Sequence, residues 1–258
     1  MGPTLGLARL TAALVACLAF SSTFAGEREE SLLLHDVSRQ RDVPVQLYHP
    51  PTEVACQAPG ECPVALLSPG YGESHLAYSF LAKALNNAGV LVVSLQQDLP
   101  SDAPLPREGD LLTLRAPFWQ RGVDNLLFVR AQLQHRFPTY NWAQPLLVGH
   151  SNGGDTAVWL SHRHPNIPAA LITLDHRRAP LLRAQRPRIL SIRGSDYPAD
   201  PGVLPTAEEQ ARYGLSIVEI PDAKHNEMVD DGPEALKQAI AKLCLAFLQS
   251  LRTNSPRY

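Results

Sequence analysis

Leu146-Leu147-Val148-Gly149-His150-Ser151-Asn152-Gly153-Gly154-Asp155 is the stretch from which the rest of the chain is read. Three apolar residues run into a glycine, and the helix-compatible run Thr156-Ala157-Val158-Trp159 follows at once. A buried strand that becomes a helix through G-x-S-x-G must turn sharply. Strand and helix backbones then crowd the serine, so small residues are needed at Gly149 and Gly153. The turn presents the Ser151 hydroxyl at the end of a sheet and at a helix N-terminus. A glycine-rich turn capped by a serine is the plainer reading of the same letters. The strand before it and the helix after it favour a nucleophile.

Short apolar runs also lie at Val43 to Tyr48, Val64 to Leu67, Val90 to Leu95, Ala170 to Leu174, Ile189 to Ile192 and Leu215 to Ile220. Most are continuous rather than alternating, as strands covered on both faces should be. Helical spacing appears between them. Leu76, Phe80, Leu81, Ala84, Leu85 and Ala88 form one face of a helix that Gly89 can end, and Val123, Leu126, Leu127 and Leu133 mark a second. A last helix opens at Gly232-Pro233 and carries Leu236, Ile240, Leu243, Phe247 and Leu251. Strand and helix in alternation predict an α/β protein, a mainly parallel sheet of about eight strands with helices on both faces and an antiparallel start. The Pro-rich segment Leu99 to Pro117 reads as a long connection, either a pocket wall or a plain surface excursion.

A serine hydroxyl is a weak nucleophile until a base takes its proton. When the serine sits in such an elbow, the acid and then the base follow it in the chain. His225 fits the base, standing after the last strand and before the last helix. His176, at a strand end, is its one rival; His35 and His49 precede the serine, His162 and His164 end the following helix, and His150 lies inside the elbow. An attacked carbonyl also needs donors for its developing negative charge. Ser68-Pro69-Gly70-Tyr71-Gly72 follows the strand Val64 to Leu67, and the backbone N–H groups of Tyr71 and Asn152 are the candidates. For the acid, spacing leaves Asp175 and Asp196 both open. The turn after Ile192 carries Tyr197 where an acid is common, with Asp196 and Asp200 on either side.

Asp36, Arg39, Arg41, Pro44, Tyr48-His49-Pro50, Ser68-Pro69-Gly70-Tyr71-Gly72, Tyr78-Ser79, Ala88-Gly89-Val90, the Ser151 elbow and Leu174-Asp175 come in an order similar to that of platelet-activating-factor acetylhydrolase and dienelactone-hydrolase-like proteins. The resemblance covers most of the chain after residue 25 and implies the α/β-hydrolase fold. It also implies Asp175, at the end of the earlier strand, as the acid. The chain departs from the family at Ser68-Pro69, where a histidine usually precedes the glycine, so a shared substrate does not follow.

The expected activity is hydrolysis of a small-molecule carboxylic ester through an acyl-enzyme, with Ser151, His225 and Asp175 and with no metal or cofactor. A peptidase or amidase and a polyester or lipid hydrolase are alternatives on the same fold, and a non-catalytic ligand-binding protein is the alternative from another class. At 258 residues and a net charge of −2, the chain suits one domain over residues 26–258 and has no basic stripe for nucleic acid.

Residues 1–25 read as a signal peptide: Arg9, an apolar run from Leu10 to Phe20, then Thr23-Phe24-Ala25. That run is too short to span a bilayer. Leu14-Val15-Ala16-Cys17 also resembles a lipoprotein box that would anchor Cys17 to lipid, although the apolar run continues past it. Secretion or a periplasmic location is therefore expected. Cys56 and Cys62 flank a turn-forming stretch and could close a short disulfide loop, while Cys244 reads as a core residue.

Overall fold

The computed structural model describes residue 2, residues 28–51 and residues 60–254. Two strands, β1 (Arg28–Asp36) and β2 (Arg41–His49), open the chain as an antiparallel pair. β3 (Val64–Ser68), α1 (Ser79–Asn87), β4 (Leu91–Leu95), α2 (Leu111–Arg136), β5 (Leu146–His150), α3 (Ser151–Arg163), β6 (Ala170–Leu174) and β7 (Arg188–Arg193) then alternate. α4 (Ala207–Tyr213), β8 (Ser216–Glu219), a single 3₁₀ turn (His225–Glu227) and α5 (Glu234–Asn254) complete the order. The eight strands form one sheet in the order β1-β2-β4-β3-β5-β6-β7-β8, antiparallel at β1–β2 and β2–β4 and parallel from β4 onward.

β3, β4, β5 and β6 are buried along their whole length, which is why their sequences are apolar without alternation. Successive side chains still point to opposite faces. Val92, Val148 and Ile172 meet Leu81 and Leu85 of α1 and Ile240 and Phe247 of α5 on one face. Leu66, Val93, Leu147 and Leu171 meet Trp119, Val123 and Leu126 of α2 and Val158 and Leu160 of α3 on the other. Each such leucine or valine contributes about 1.5–3 kcal/mol by leaving water. The burial holds the carboxyl ends of β3, β5 and β6 side by side, and those ends carry Ser68, His150 and Leu174, each next to a segment of interest.

Two elements begin elsewhere than the periodicity predicts. Leu76 lies outside α1 and is 49% exposed. The helix starts at Ser79 because the Asp230 carboxylate, from the segment before α5, accepts the backbone N–H groups of Ser79 and Phe80 at 2.9 and 2.8 Å. A distant residue thus performs the N-terminal cap. The Leu99 to Pro117 segment is also not one long loop. Its last part is the opening of α2, which Asp110 caps through the N–H of Thr113, and Pro117 sits inside that helix. Leu112 and Leu114 face outward there, so the apolar spacing that marks the rest of α2 is missing from its first turns. The preceding connection is fixed by charge: Arg41 holds Asp102 through both terminal nitrogens at 2.7 and 2.8 Å, and Arg121 holds Asp98 at 2.7 Å.

The leader, Cys17 and Cys56 lie outside the described residues. Cys62 is buried and its backbone pairs with Tyr140 in an isolated β-bridge, and Cys244 is a buried free thiol in the core against α5. Among the described residues no helix is long and apolar enough to cross a membrane, and no cluster of His, Cys, Asp and Glu has the makings of a metal site.

Candidate active site

The elbow between β5 and α3 is tight enough to dictate its own sequence. Ser151 has φ 50°, left-handed backbone that a non-glycine residue adopts at a cost. A Cβ at Gly149 would stand 2.3 Å from the Gly153 carbonyl oxygen, and one at Gly153 would stand 2.3 Å from the carbonyl oxygens of Ser68 and Pro69. The second contact matters more for chemistry. It lets the loop after β3, with Tyr71, lie directly against the serine turn.

Ser151 Oγ is 2.9 Å from His225 Nε2, and His225 Nδ1 is 2.5 Å from Asp175 Oδ2. Asp175 is fully buried, has φ 46°, and receives two more donors on its other oxygen: Arg193 Nη2 at 2.9 Å and the N–H of Gly194 at 3.0 Å. Burial alone would raise its pKa, but the bond from His225, the Arg193 charge and the Gly194 N–H together hold it below the usual carboxylate value. Asp196 is arranged differently: its Oδ1 accepts the backbone N–H of His225 at 2.8 Å and so fastens the loop that carries His225 rather than its ring.

His176 is not brought to Ser151. Both its ring nitrogens are buried without a hydrogen-bond partner, and burial with the nearby Arg193 charge lowers its pKa from 6.5 to about 3. It is the neutral form that the fold tolerates, so this stability is fully present above the unfolded value and is lost as pH falls from 6.5 toward about 3. Replacing His176 by methionine should flatten the fall in unfolding free energy by about 1.4 kcal/mol per pH unit over that window. Urea melts from neutral pH down to about pH 4 measure the slope, and an unchanged slope would show that His176 titrates normally.

His150 has a different task. Its Nε2 lies 3.1 Å from the His225 carbonyl oxygen and its Nδ1 lies 2.7 Å from the Tyr78 hydroxyl, which in turn accepts the N–H of Gly70 at 3.0 Å. With Nε2 protonated, the ring donates to the carbonyl and accepts from the tyrosine. Burial, reinforced by His225, lowers its pKa to about 3 and keeps it neutral for that double role. One chain of bonds therefore ties the His225 loop, the elbow and the loop after β3. Asn152 is fixed from α2, its Oδ1 accepting Trp119 Nε1–H at 2.9 Å, and it stands in the first turn of α3, where backbone N–H groups have no acceptor within the helix.

These groups open on a cavity of about 300 Å³. Tyr71, Asn152, Ser151 and His225 line it together, with Arg107, Arg115 and Arg177. The Tyr71 hydroxyl accepts the N–H of Leu105 at 3.1 Å, joining the loop after β3 to the connection before α2. The local sequence marks none of Arg193, Arg107, Arg115 and Arg177 as part of a site, and Arg178 pairs with Asp200. Only the Tyr78-Ser79 pair left a trace, as part of the resemblance.

By sequence, no protein-family model and no curated protein matches the chain. By structure, the chain is similar to a ferulic acid esterase from Streptomyces cinnamoneus, with 19% identity, a TM-score of 0.57, and coverage of 83% of this chain and 78% of that one. It is similar to esterase 2 from Thermogutta terrifontis, solved phosphorylated by paraoxon, with 14% identity, a TM-score of 0.61, and coverage of 86% and 94%. It is similar to dienelactone hydrolase from Anabaena variabilis, with 16% identity, a TM-score of 0.54, and coverage of 84% and 95%. Taken with the strand order, the serine elbow on β5 and the histidine beyond β8, these likenesses lead to one conclusion: the chain has the α/β-hydrolase fold.

Proposed function

We propose that this protein is a serine hydrolase acting on carboxylic esters through an acyl-enzyme. The observation that carries the reading is the line of contacts from Asp175 through His225 to Ser151, at 2.5 and 2.9 Å, at the edge of a cavity. Its Nδ1–H held by the Asp175 carboxylate, His225 presents an unprotonated Nε2 to the serine. Ser151 Oγ bonds to the ester carbonyl carbon as its proton passes to Nε2. The backbone N–H groups of Tyr71 and Asn152 receive the oxyanion. The proton then moves to the leaving alkoxide as the carbon–oxygen bond breaks, and water, activated by the same histidine, releases the acid. None of these steps calls for a metal or an organic cofactor. The structural likeness to esterases, one of them solved with a phosphoryl group from paraoxon, supports the choice of ester over amide. Purified protein should hydrolyse short-chain esters; absence of turnover on a series of graded acyl length, with the protein folded, would contradict the reading.

The same proposal includes export, with residues 1–25 removed and Cys56 bridged to Cys62 across a short loop. Such a bridge stabilises by roughly 2–3 kcal/mol at most. The intact mass of protein recovered from the periplasm, alkylated without reduction, tests both parts. Expected is a chain beginning at Gly26 that takes up one alkyl group, on Cys244, after unfolding. Three alkyl groups would refute the bridge, and a lipid-modified Cys17 would replace the leader by a lipoprotein anchor.

A further inference from the structure

The cavity at Ser151 is lined by Arg107, Arg115 and Arg177 and by no aspartate or glutamate. The three come from separate segments: Arg107 from the connection before α2, Arg115 from the first turns of α2, and Arg177 from the turn after β6. In a chain whose net charge is −2, such a gathering is not a consequence of composition.

The carboxylates nearby are engaged elsewhere. Asp175 is held by Arg193 and His225, Asp200 by Arg178, Asp98 and Asp102 by Arg121 and Arg41, and Asp196 by the backbone N–H of His225. Asp155 is buried and accepts the N–H groups of Arg178 and Ala179 at 2.9 and 2.8 Å. Among the described residues, none of Arg107, Arg115 and Arg177 takes part in an ion pair. Two of them are nonetheless held in place. Arg115 Nε donates to the Pro106 carbonyl at 2.9 Å. The Arg177 guanidinium lies over the Tyr197 ring at 4.3 Å, and that ring meets His225 edge-on at 5.7 Å. Stacking uses the guanidinium face and leaves its N–H edge available. Arg177 and Arg178 lie close enough to Arg115 for their charges to oppose its own, and Asp155 and Asp200 offset part of that opposition. Fixed like charges around one cavity cost free energy until an anion joins them.

Resting on the ester-hydrolase reading, we infer that the substrate is a carboxylic ester carrying a second, ionised acid group, which Arg115 and Arg177 bind while Ser151 attacks the ester carbonyl. Arg107, exposed at the cavity rim, draws the anion in. A planar guanidinium edge matches a carboxylate with two parallel bonds, and a cavity of about 300 Å³ suits a short diacid rather than a long chain. The acid group sits on either the acyl or the alcohol side of the ester, and the two are separated by experiment.

The test compares monoethyl succinate with ethyl 4-oxopentanoate, its neutral counterpart of matching shape, by pH-stat titration at low ionic strength. Acetoxyacetate and acetoxyacetone, its neutral methyl-ketone counterpart, form the second pair, with the charge on the alcohol side. One pair should favour the anion in kcat/KM by about tenfold or more, the worth of a charged hydrogen-bonded contact. Added salt should erode that preference. Arg115→Met and Arg177→Met should each bring the ratio down by about tenfold, while Arg163→Met, at the exposed end of α3, should keep it. Equal or better hydrolysis of the neutral ester in both pairs would overturn the inference and leave the ester hydrolase standing. If no ester is cleaved, calorimetric titration of Ser151→Ala protein with succinate decides the pocket alone. Binding that Arg177→Met weakens supports the anion site, and no binding overturns it. Should Arg177→Met fail to fold, Arg177→Lys keeps the charge and loses the paired bonds, and an unchanged ratio in that variant would count against them.

Discussion

Ser151→Ala is expected to lower ester turnover by about 10⁶ while the thermal unfolding curve stays where it was, because nucleophile and base act as a unit. The hydroxyl is the one group that bonds to the substrate, and among the described residues Ser151 Oγ is the hydrogen-bond partner of His225 Nε2. The fold should not suffer. Alanine is no worse than serine at φ 50°, and the steric demands of the elbow rest on Gly149 and Gly153, which are untouched. Turnover and melting are measured on the same preparation. A loss below about tenfold with an unchanged melt would make Ser151 a turn residue and the elbow a packing device.

The next largest effect falls on the acid, where two carboxylates meet the same histidine in different ways. Asp175→Asn should lower turnover by about 10⁴. Arg193 and the Gly194 N–H both donate to Oδ1, so an asparagine would keep its oxygen there and turn its amide toward His225 Nδ1. The ring would then have to accept at Nδ1 and carry its proton on Nε2, where it cannot take one from Ser151. Asp196→Asn keeps an acceptor for the His225 backbone N–H and should cost less than about tenfold. Both variants are assayed on one ester, with circular dichroism to exclude unfolding. A larger loss in Asp196→Asn would move the acid one strand later.

These two residues also show where sequence reading stops. The central strands were legible because β3, β4, β5 and β6 are buried on both faces, so apolar runs follow from packing alone. The elbow was legible because its backbone clashes exclude any side chain at Gly149 and Gly153. The start of α2 was not, since Leu112 and Leu114 face solvent and Pro117 interrupts the pattern. Asp175 and Asp196 each stand a short step past a strand, and local letters cannot say which reaches the ring. In the folded chain Asp175 Oδ2 lies 2.5 Å from the ring, while Arg193, which nothing in the neighbouring sequence marks, holds the other carboxylate oxygen. The three arginines of the cavity come from segments that meet only after folding, so nothing local marks them either. The Asp230 cap of α1 is of the same kind, a bond between residues about 150 positions apart in a chain that otherwise reads locally.

If His225 makes Ser151 reactive, a fluorophosphonate will label that serine whatever the natural substrate. The probe is incubated with wild-type, Ser151→Ala and His225→Ala protein, and peptides are mapped by mass spectrometry. One adduct is expected, on Ser151, formed rapidly in the wild type, absent in Ser151→Ala and strongly slowed in His225→Ala. An unlabelled Ser151 in folded wild-type protein, or labelling at an undiminished rate without His225, would contradict it.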